Sequence, residues 1–269
     1  MILAIDTGGT KTLVVGLRED ESVIDEVKYP TPRDRDEYVE VLARTARERF
    51  GTESIEMVVV GTPGVIEDGV IVSYDKIDWS GFAVVERLRA EFPGAEVYLE
   101  NDTKLAALGV MGEVEANRVM YLTLSTGIGA GMVSDGRLME DVRRMEIGKI
   151  TLMKDGRAML WEHFASGSAF YEKHGRLSAE IDDPEVWREY AEDVSLGLVA
   201  TIGALQPEAI VIGGSMGNCF EKYGEFLREA VRRDVFEWWR DVEIVAARNP
   251  DRTVIDGCYE YAKLRQADK

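Results

Sequence analysis

Two apolar runs, residues 1–5 and 13–17, flank one polar loop, Asp6-Thr7-Gly8-Gly9-Thr10-Lys11-Thr12, and no other stretch restricts the fold as strongly. Apolar run, glycine turn, apolar run is the pattern of a β-hairpin. Paired glycines let backbone N–H groups turn toward an anion with no Cβ in the way, while Thr10 adds a hydroxyl and Lys11 a cation. Asp6, ending the first strand, is placed to hold a hydrated Mg²⁺ against the same anion. The alternative is an ordinary hairpin with a glycine-rich turn, and this stretch alone leaves both readings open. It is not a Walker loop, since no Gly-Lys-Ser/Thr follows at the required spacing, nor is it the Gly-x-Gly-x-x-Gly of a dinucleotide fold.

The pattern returns about 120 positions later. A buried strand over 119–124 enters Ser125-Thr126-Gly127-Ile128-Gly129-Ala130-Gly131, a strand follows over 132–134, and Asp135-Gly136 makes the next hairpin turn. Two such hairpins predict two similar lobes, each offering backbone donors to one polyphosphate. A third glycine turn, Gly213-Gly214-Ser215, follows a buried strand over 208–212. A fourth, Gly61-Thr62-Pro63-Gly64, follows a strand over 56–60; it reads equally as a ligand loop and as a plain turn.

Between these turns the coarse pattern is α/β. A strand is expected over 22–28, a helix over 36–50, a polar segment with Asp75, Asp78, Trp79, Ser80 and Gly81, and a helix over 82–92. The strand over 96–99 ends in Glu100-Asn101-Asp102-Thr103 before a helix over 104–109. Ligands of open α/β sheets meet the carboxyl ends of strands. Asp102 is therefore either an active-site carboxylate or merely the cap of that helix. Further on, a strand over 150–153, a helix over 161–165 ended by Ser166-Gly167, an amphipathic helix over 184–205, a helix over 223–235, a strand over 243–246 and a closing helix over 254–264 complete the chain. His163 and His174 lack metal-ligand spacing and are read as surface or satisfied residues. The pair Trp238-Trp239 is read as interface or core packing rather than ligand stacking.

Composition excludes several function classes. The net charge of −18 argues against a nucleic-acid partner, which calls for clustered Lys and Arg. Cys219 and Cys258 have no paired spacing, so neither a disulfide framework nor a cysteine zinc site is expected. There is no secretory pattern at the start and no apolar run long enough for a membrane helix. A cytoplasmic protein that binds no membrane is expected.

With the glycine turns and Asn101-Asp102 in place, the chain resembles the ROK family of sugar kinases, within the superfamily of actin, Hsp70 and hexokinase. Asp6-Thr7-Gly8-Gly9-Thr10-Lys11 resembles the first phosphate loop, Ser125-Thr126-Gly127-Ile128-Gly129 the second, and Gly213-Gly214-Ser215 the adenosine turn. Gly61-Thr62-Pro63-Gly64, Trp79-Ser80-Gly81, Glu100-Asn101-Asp102, Glu146-Ile147-Gly148 and Glu162-His163-Phe164-Ala165-Ser166-Gly167 fall in family order. The resemblance implies ribonuclease H-like lobes over 1–105 (with the closing helix 254–269) and 106–253, with the active site in the cleft. It implies an ATP- and Mg²⁺-dependent kinase of glucose or a related hexose, at the 6-hydroxyl, or else of an N-acetylhexosamine, and a homodimer. A sugar-sensing protein without turnover is the reading from another class.

By the same resemblance Asp102 is the general base, and Gly64, Asn101, Glu146 and Glu162 bind sugar. Gly8, Gly9, Thr10, Lys11, Thr126, Gly127, Gly213, Gly214 and Ser215 bind nucleotide, and Asp6 meets Mg²⁺ through water. Three departures stand out: Lys149 replaces a family histidine, the cysteine-rich zinc loop is missing, and Lys104 replaces an asparagine. Lys149 is read as a solvated charge, with sugar contact the alternative. No zinc is expected, and Met153, Met159, Leu160 and Trp161 supply apolar area for a packed loop in its place.

Overall fold

The structure, a computed structural model, describes residues 1–51, 53–74 and 77–269; Asp75 of the polar segment lies outside them. It is α/β, as expected, and divides into two compact units, Met1–Gly109 with Arg252–Lys269, and Val110–Asp251.

In chain order the first unit contains β1 (Ile2–Thr7), β2 (Lys11–Leu17), β3 (Val23–Pro30), α1 (Arg35–Phe50), β4 (Met57–Thr62), β5 (Val65–Glu67), β6 (Val70–Ser73), α2 (Val84–Glu91), β7 (Glu96–Asn101) and α3 (Asp102–Gly109), to which the C-terminal helix Thr253–Ala267 returns. Its main sheet has the order β3-β2-β1-β4-β7, an antiparallel meander extended by two parallel strands. Every residue of β4 is buried, as a central strand covered on both faces requires. The helix α1 starts where the Asp34 carboxylate accepts from the N–H groups of Asp36 and Glu37, each at 2.9 Å, and it buries Tyr38, Val39, Leu42, Ala46 and Phe50. The C-terminal helix meets α3 at backbone distance. A Cβ on Gly257 would lie 1.8 Å from the Leu105 carbonyl oxygen, and one on Gly109 2.2 Å from that of Thr253, so both positions admit only glycine.

The second unit contains β8 (Arg118–Leu124), β9 (Ile128–Ser134), β10 (Arg137–Leu138), β11 (Thr151–Lys154), β12 (Arg157–Leu160), α4 (Glu162–Ala165), α5 (Gly167–His174), α6 (Pro184–Leu205), β13 (Ala209–Gly213), α7 (Gly214–Gly217), α8 (Phe220–Asp234) and β14 (Glu243–Ala246). Its sheet, β10-β9-β8-β13-β14, repeats the connectivity of the first, three antiparallel strands followed by two parallel ones. The core gathers Phe170, Trp187, Tyr190, Phe220 and Tyr223 in ring-to-ring contact. Gly197 in α6 faces the Trp161 indole, which a Cβ would approach to 2.0 Å.

Several local expectations change. Ser166 ends α4 as expected, its N–H on the Glu162 carbonyl, but it also starts a helix that was not expected, capping α5 with its hydroxyl, which accepts from Ala169 N at 3.2 Å. The helix expected over 82–92 is shorter, because Phe92 closes it with its N–H on the Leu88 carbonyl. Two hairpins were not foreseen, β5–β6 and β11–β12. Both turn through an Asp-Gly pair with positive φ, Asp68 at 49° and Gly69 at 78°, Asp155 at 51° and Gly156 at 74°. Met153, expected to pack in the zinc-less loop, is 65% exposed on β11, whereas Trp161 is fully buried. Trp238 is 80% exposed, while its neighbour Trp239 packs against the core.

Candidate functional site

The first unit places its chemistry at the carboxyl ends of three adjacent strands. Register aligns Asp6 of β1 with Gly61 of β4, and Gly61 with Glu100 of β7. The loop after Asp6 is braced from beneath. Gly8 N donates to Lys11 O at 2.9 Å, Thr31 Oγ1 donates to Gly8 O at 2.8 Å, and Thr31 N donates to Thr10 O at 3.1 Å. Thr31 Oγ1 also lies 3.0 Å from Thr12 Oγ1, and the Thr7 hydroxyl shares a 2.8 Å hydrogen bond with Tyr38 Oη. Gly8, Gly9, Thr10 and Lys11 are thus presented on a turn fixed before any ligand arrives, with Thr10 and Lys11 exposed. Thr31 and Tyr38 are supports that sequence reasoning missed. Tyr38 looked like one more apolar position of α1, and Thr31 carries no local signal.

Asn101, Asp102 and Gly64 come together in the same unit. Asn101 Nδ2 donates to Gly64 O at 3.0 Å, and Asn101 Oδ1 accepts from Thr103 N at 3.0 Å and Lys104 N at 3.3 Å. Asn101 therefore caps α3, and Asp102 Oδ1 shares one of its donors, Thr103 N, at 2.8 Å. Both residues thus meet the start of the helix, and Asp102 stands half-buried as its first residue. Gly64 has φ +102° because its backbone runs against Ser73 O, which a Cβ would approach to 2.2 Å. Trp79 Nε1 donates to Arg33 O at 2.8 Å and Arg35 Nη2 to the carbonyls of Asp78 and Ser80, each at 3.0 Å, tying the Trp79-Ser80-Gly81 turn to the start of α1. The charge of Asp6 reaches Tyr38, Tyr74 and Cys258, whose groups are held above their ordinary pKa first by burial and further by that carboxylate.

The second unit assembles its own cluster around the loop between β8 and β9. A Cβ on Gly148 would meet Ile128 O at 2.3 Å, and Gly167 N donates to Ser125 O at 2.6 Å. Glu162 points at the same loop, its Oε2 3.0 Å from where a Cβ on Gly127 would stand, and its Oε1 is paired with Lys149 Nζ. Lys149 remains exposed, as expected of a solvated charge, and is also engaged with Glu162, whose side chain is only 17% exposed. Gly214, with φ +78°, packs against the carbonyl of Leu124, and Gly213 against the Tyr121 hydroxyl, so the third glycine turn adjoins the same loop and leaves Ser215 exposed. Thr126 and Glu146 are exposed beside it.

Among the described residues no group of three or more His, Cys, Asp or Glu stands together to hold a metal. Among the same residues no helix is long and apolar enough to cross a membrane.

Comparison with known proteins agrees with this architecture. The glucokinase of Streptomyces coelicolor is 23% identical over 314 aligned positions, covering 98% of each chain. The ROK hexokinase from Thermus thermophilus superposes with a TM-score of 0.82 at 27% identity, over 100% of this chain and 99% of that one. The inorganic polyphosphate/ATP-glucomannokinase from Arthrobacter sp. strain KM gives 0.75 at 25% identity, over 98% of each chain. Other relatives, 24–27% identical, are named fructokinase, kanosamine kinase and xylose repressor, and of the last the chain spans 60%. The ROK family model matches residues 2–263, a span that holds both sheets and all the glycine turns, and the chain belongs to the ROK family.

Proposed function

We propose that the protein is a sugar kinase transferring the γ-phosphoryl group of ATP to a hexose, glucose or a close relative, at the 6-hydroxyl. The observation that carries this reading is Asp102. It is a half-buried carboxylate directly after the carboxyl end of the edge strand β7, and Asn101 shares with it the capping of the helix that starts there. Asp102 takes the proton of the attacking hydroxyl as its oxygen bonds to the γ-phosphorus and the bond to the β-phosphate oxygen breaks, releasing ADP. Gly64 and Asn101 in the first unit, and Glu146 and Glu162 in the second, are assigned to sugar hydroxyls, carboxylates and amides being suited to a polyol.

Gly8, Gly9, Thr10 and Lys11, and separately Thr126 and Gly127, are assigned to phosphates, and Gly213, Gly214 and Ser215 to adenosine. Mg²⁺ would be held by the nucleotide and, through water, by Asp6, and would supply neutralisation of phosphate charge. Support comes from the braced glycine loops and from relatives named glucokinase, hexokinase and polyphosphate/ATP-glucomannokinase at comparable identity. The names kanosamine kinase and xylose repressor keep amino sugars and a non-catalytic sensor in the test. A coupled assay with ATP across glucose, mannose, fructose, N-acetylmannosamine and N-acetylglucosamine is expected to show turnover highest on an unsubstituted hexose. Best turnover on an acetylated sugar would move the substrate class, and sugar binding without any turnover would make the protein a sensor. Light scattering in solution checks the homodimer.

A further inference from the structure

Tyr74 follows β6 and lies against Gly64, whose Cβ, were there one, would stand 3.4 Å from Tyr74 Cβ. Gly64 is in turn bonded to Asn101, the neighbour of Asp102. The ring packs edge-on to Trp79, with centroids 6.2 Å apart, which fixes one side of it. The hydroxyl is buried, Tyr74 being 7% exposed, and it has no hydrogen-bond partner among the described residues. A buried O–H without an acceptor is costly, and such a group in a folded protein calls for an explanation. The charges of Asp102 and Asp6 act on it; burial first, and these carboxylates next, hold the phenol protonated with a pKa of about 12. It is therefore a donor at physiological pH, near two acceptors yet outside bonding distance of either.

We infer that Tyr74 is a further sugar-binding residue, its hydroxyl donating to a substrate hydroxyl that lodges beside Asp102 and fills the gap between them. The inference rests on the kinase reading above. Tyr74 sits on a loop rather than inside an element. Asp102 and Asn101 offer acceptors or committed groups, and a polyol needs donors as well; Tyr74 supplies one.

The test is Tyr74→Phe, which removes one oxygen and keeps the ring. Calorimetric titration with glucose, mannose and fructose identifies the sugar that the wild type binds. For that sugar the variant is expected to bind about fivefold to tenfold more weakly, the loss of one neutral hydrogen bond. Affinity for a non-hydrolysable ATP analogue stays unchanged. The monodeoxy analogues of the same sugar locate the contact: the one lacking the contacted hydroxyl binds wild type and variant equally, while the others keep the difference. Because the hydroxyl lacks a partner among the described residues, the variant is expected to melt no lower than the wild type.

Equal sugar affinity in both proteins, the same loss with every deoxy analogue, or a melting point lowered by several degrees overturns the inference. In each of those cases a wild type that phosphorylates the sugar leaves the kinase reading standing. A wild type that neither binds nor phosphorylates any of the sugars overturns both.

Discussion

At the scale of single residues, the division of labour between Asn101 and Asp102 decides what the site can do. A carboxylate at the start of a helix is ordinarily spent on backbone N–H groups; here Asp102 Oδ1 accepts from Thr103 N, but the Asn101 amide oxygen shares that donor and takes Lys104 N as well. Asp102→Asn should lower turnover by about 10² or more, the range for loss of a general base, with nucleotide affinity unchanged by titration. Near wild-type turnover would leave Asp102 a structural residue only.

Lys149 is the second such case. Its pairing with Glu162 holds a carboxylate against the loop at Gly127, and Lys149→Met should raise the KM for sugar about tenfold while altering the KM for ATP little, as expected for losing one hydrogen bond to a charged group. An unchanged sugar KM would mean Glu162 is oriented without it. The sequence displayed Asp102 and Glu162 through their place in a motif. It could not display the Lys149 pairing or the bracing by Thr31, because both join residues distant in the chain, thirteen positions apart in one case and twenty-three in the other.

At the scale of elements, glycines carry more than turns. Gly109 and Gly257 let α3 and the C-terminal helix touch backbone to backbone, and since α3 begins at Asp102, that contact sets where the carboxylate stands. Gly257→Ala places a methyl group 1.8 Å from a carbonyl oxygen that cannot swing aside, so the helices must part. A loss of about 3 kcal/mol in urea unfolding is expected, at the upper end for overpacking, together with reduced turnover. Full stability would show that the helices slide apart at little cost.

The hairpins show what was legible and overlooked. Asp68-Gly69 and Asp155-Gly156 are the same turn signal as the foreseen Asp135-Gly136, and all three pairs have positive φ at both residues. The strands they join are only three or four residues long, too short for an alternating pattern to register. The β11–β12 hairpin occupies the stretch where a metal loop was expected to be replaced, and it is held by Lys154 paired with the buried Asp193 rather than by Met153. Burial pushes the Asp193 carboxyl up despite that lysine. Elemental analysis of the purified protein should find no tightly held zinc, and one zinc per chain whose removal unfolds it would refute the packed-hairpin reading.

At the scale of the whole molecule, the repeated topology was announced by the two glycine hairpins, because each sits between the first two strands of a five-stranded sheet of identical connectivity. What the sequence could not reveal is how the acidic excess is distributed. Fifty acidic against thirty-two basic residues leave a net charge of −18, yet the ion pairs are mostly exposed, such as Arg44–Glu40 and Arg87–Asp36, and pairs of that kind contribute little each. The acidic excess repels itself, and self-repulsion opposes the compact state more than the expanded one. Screening should therefore stabilise this protein. The screening length falls from roughly 10 Å at 0.1 M salt to roughly 3 Å at 1 M, so repulsion between carboxylates on neighbouring elements is largely removed while contacts inside the two cores are unaffected. Melting followed by circular dichroism without nucleotide or sugar should shift upward by several degrees between about 0.02 M and about 0.5 M sodium chloride, most of it below about 0.2 M where screening changes fastest. Sodium sulfate also strengthens apolar burial by exclusion, so chloride isolates the charge effect. A melting temperature that falls with sodium chloride would mean that the exposed ion pairs outweigh the repulsion of the excess acids, and that net charge does not limit the stability of this fold.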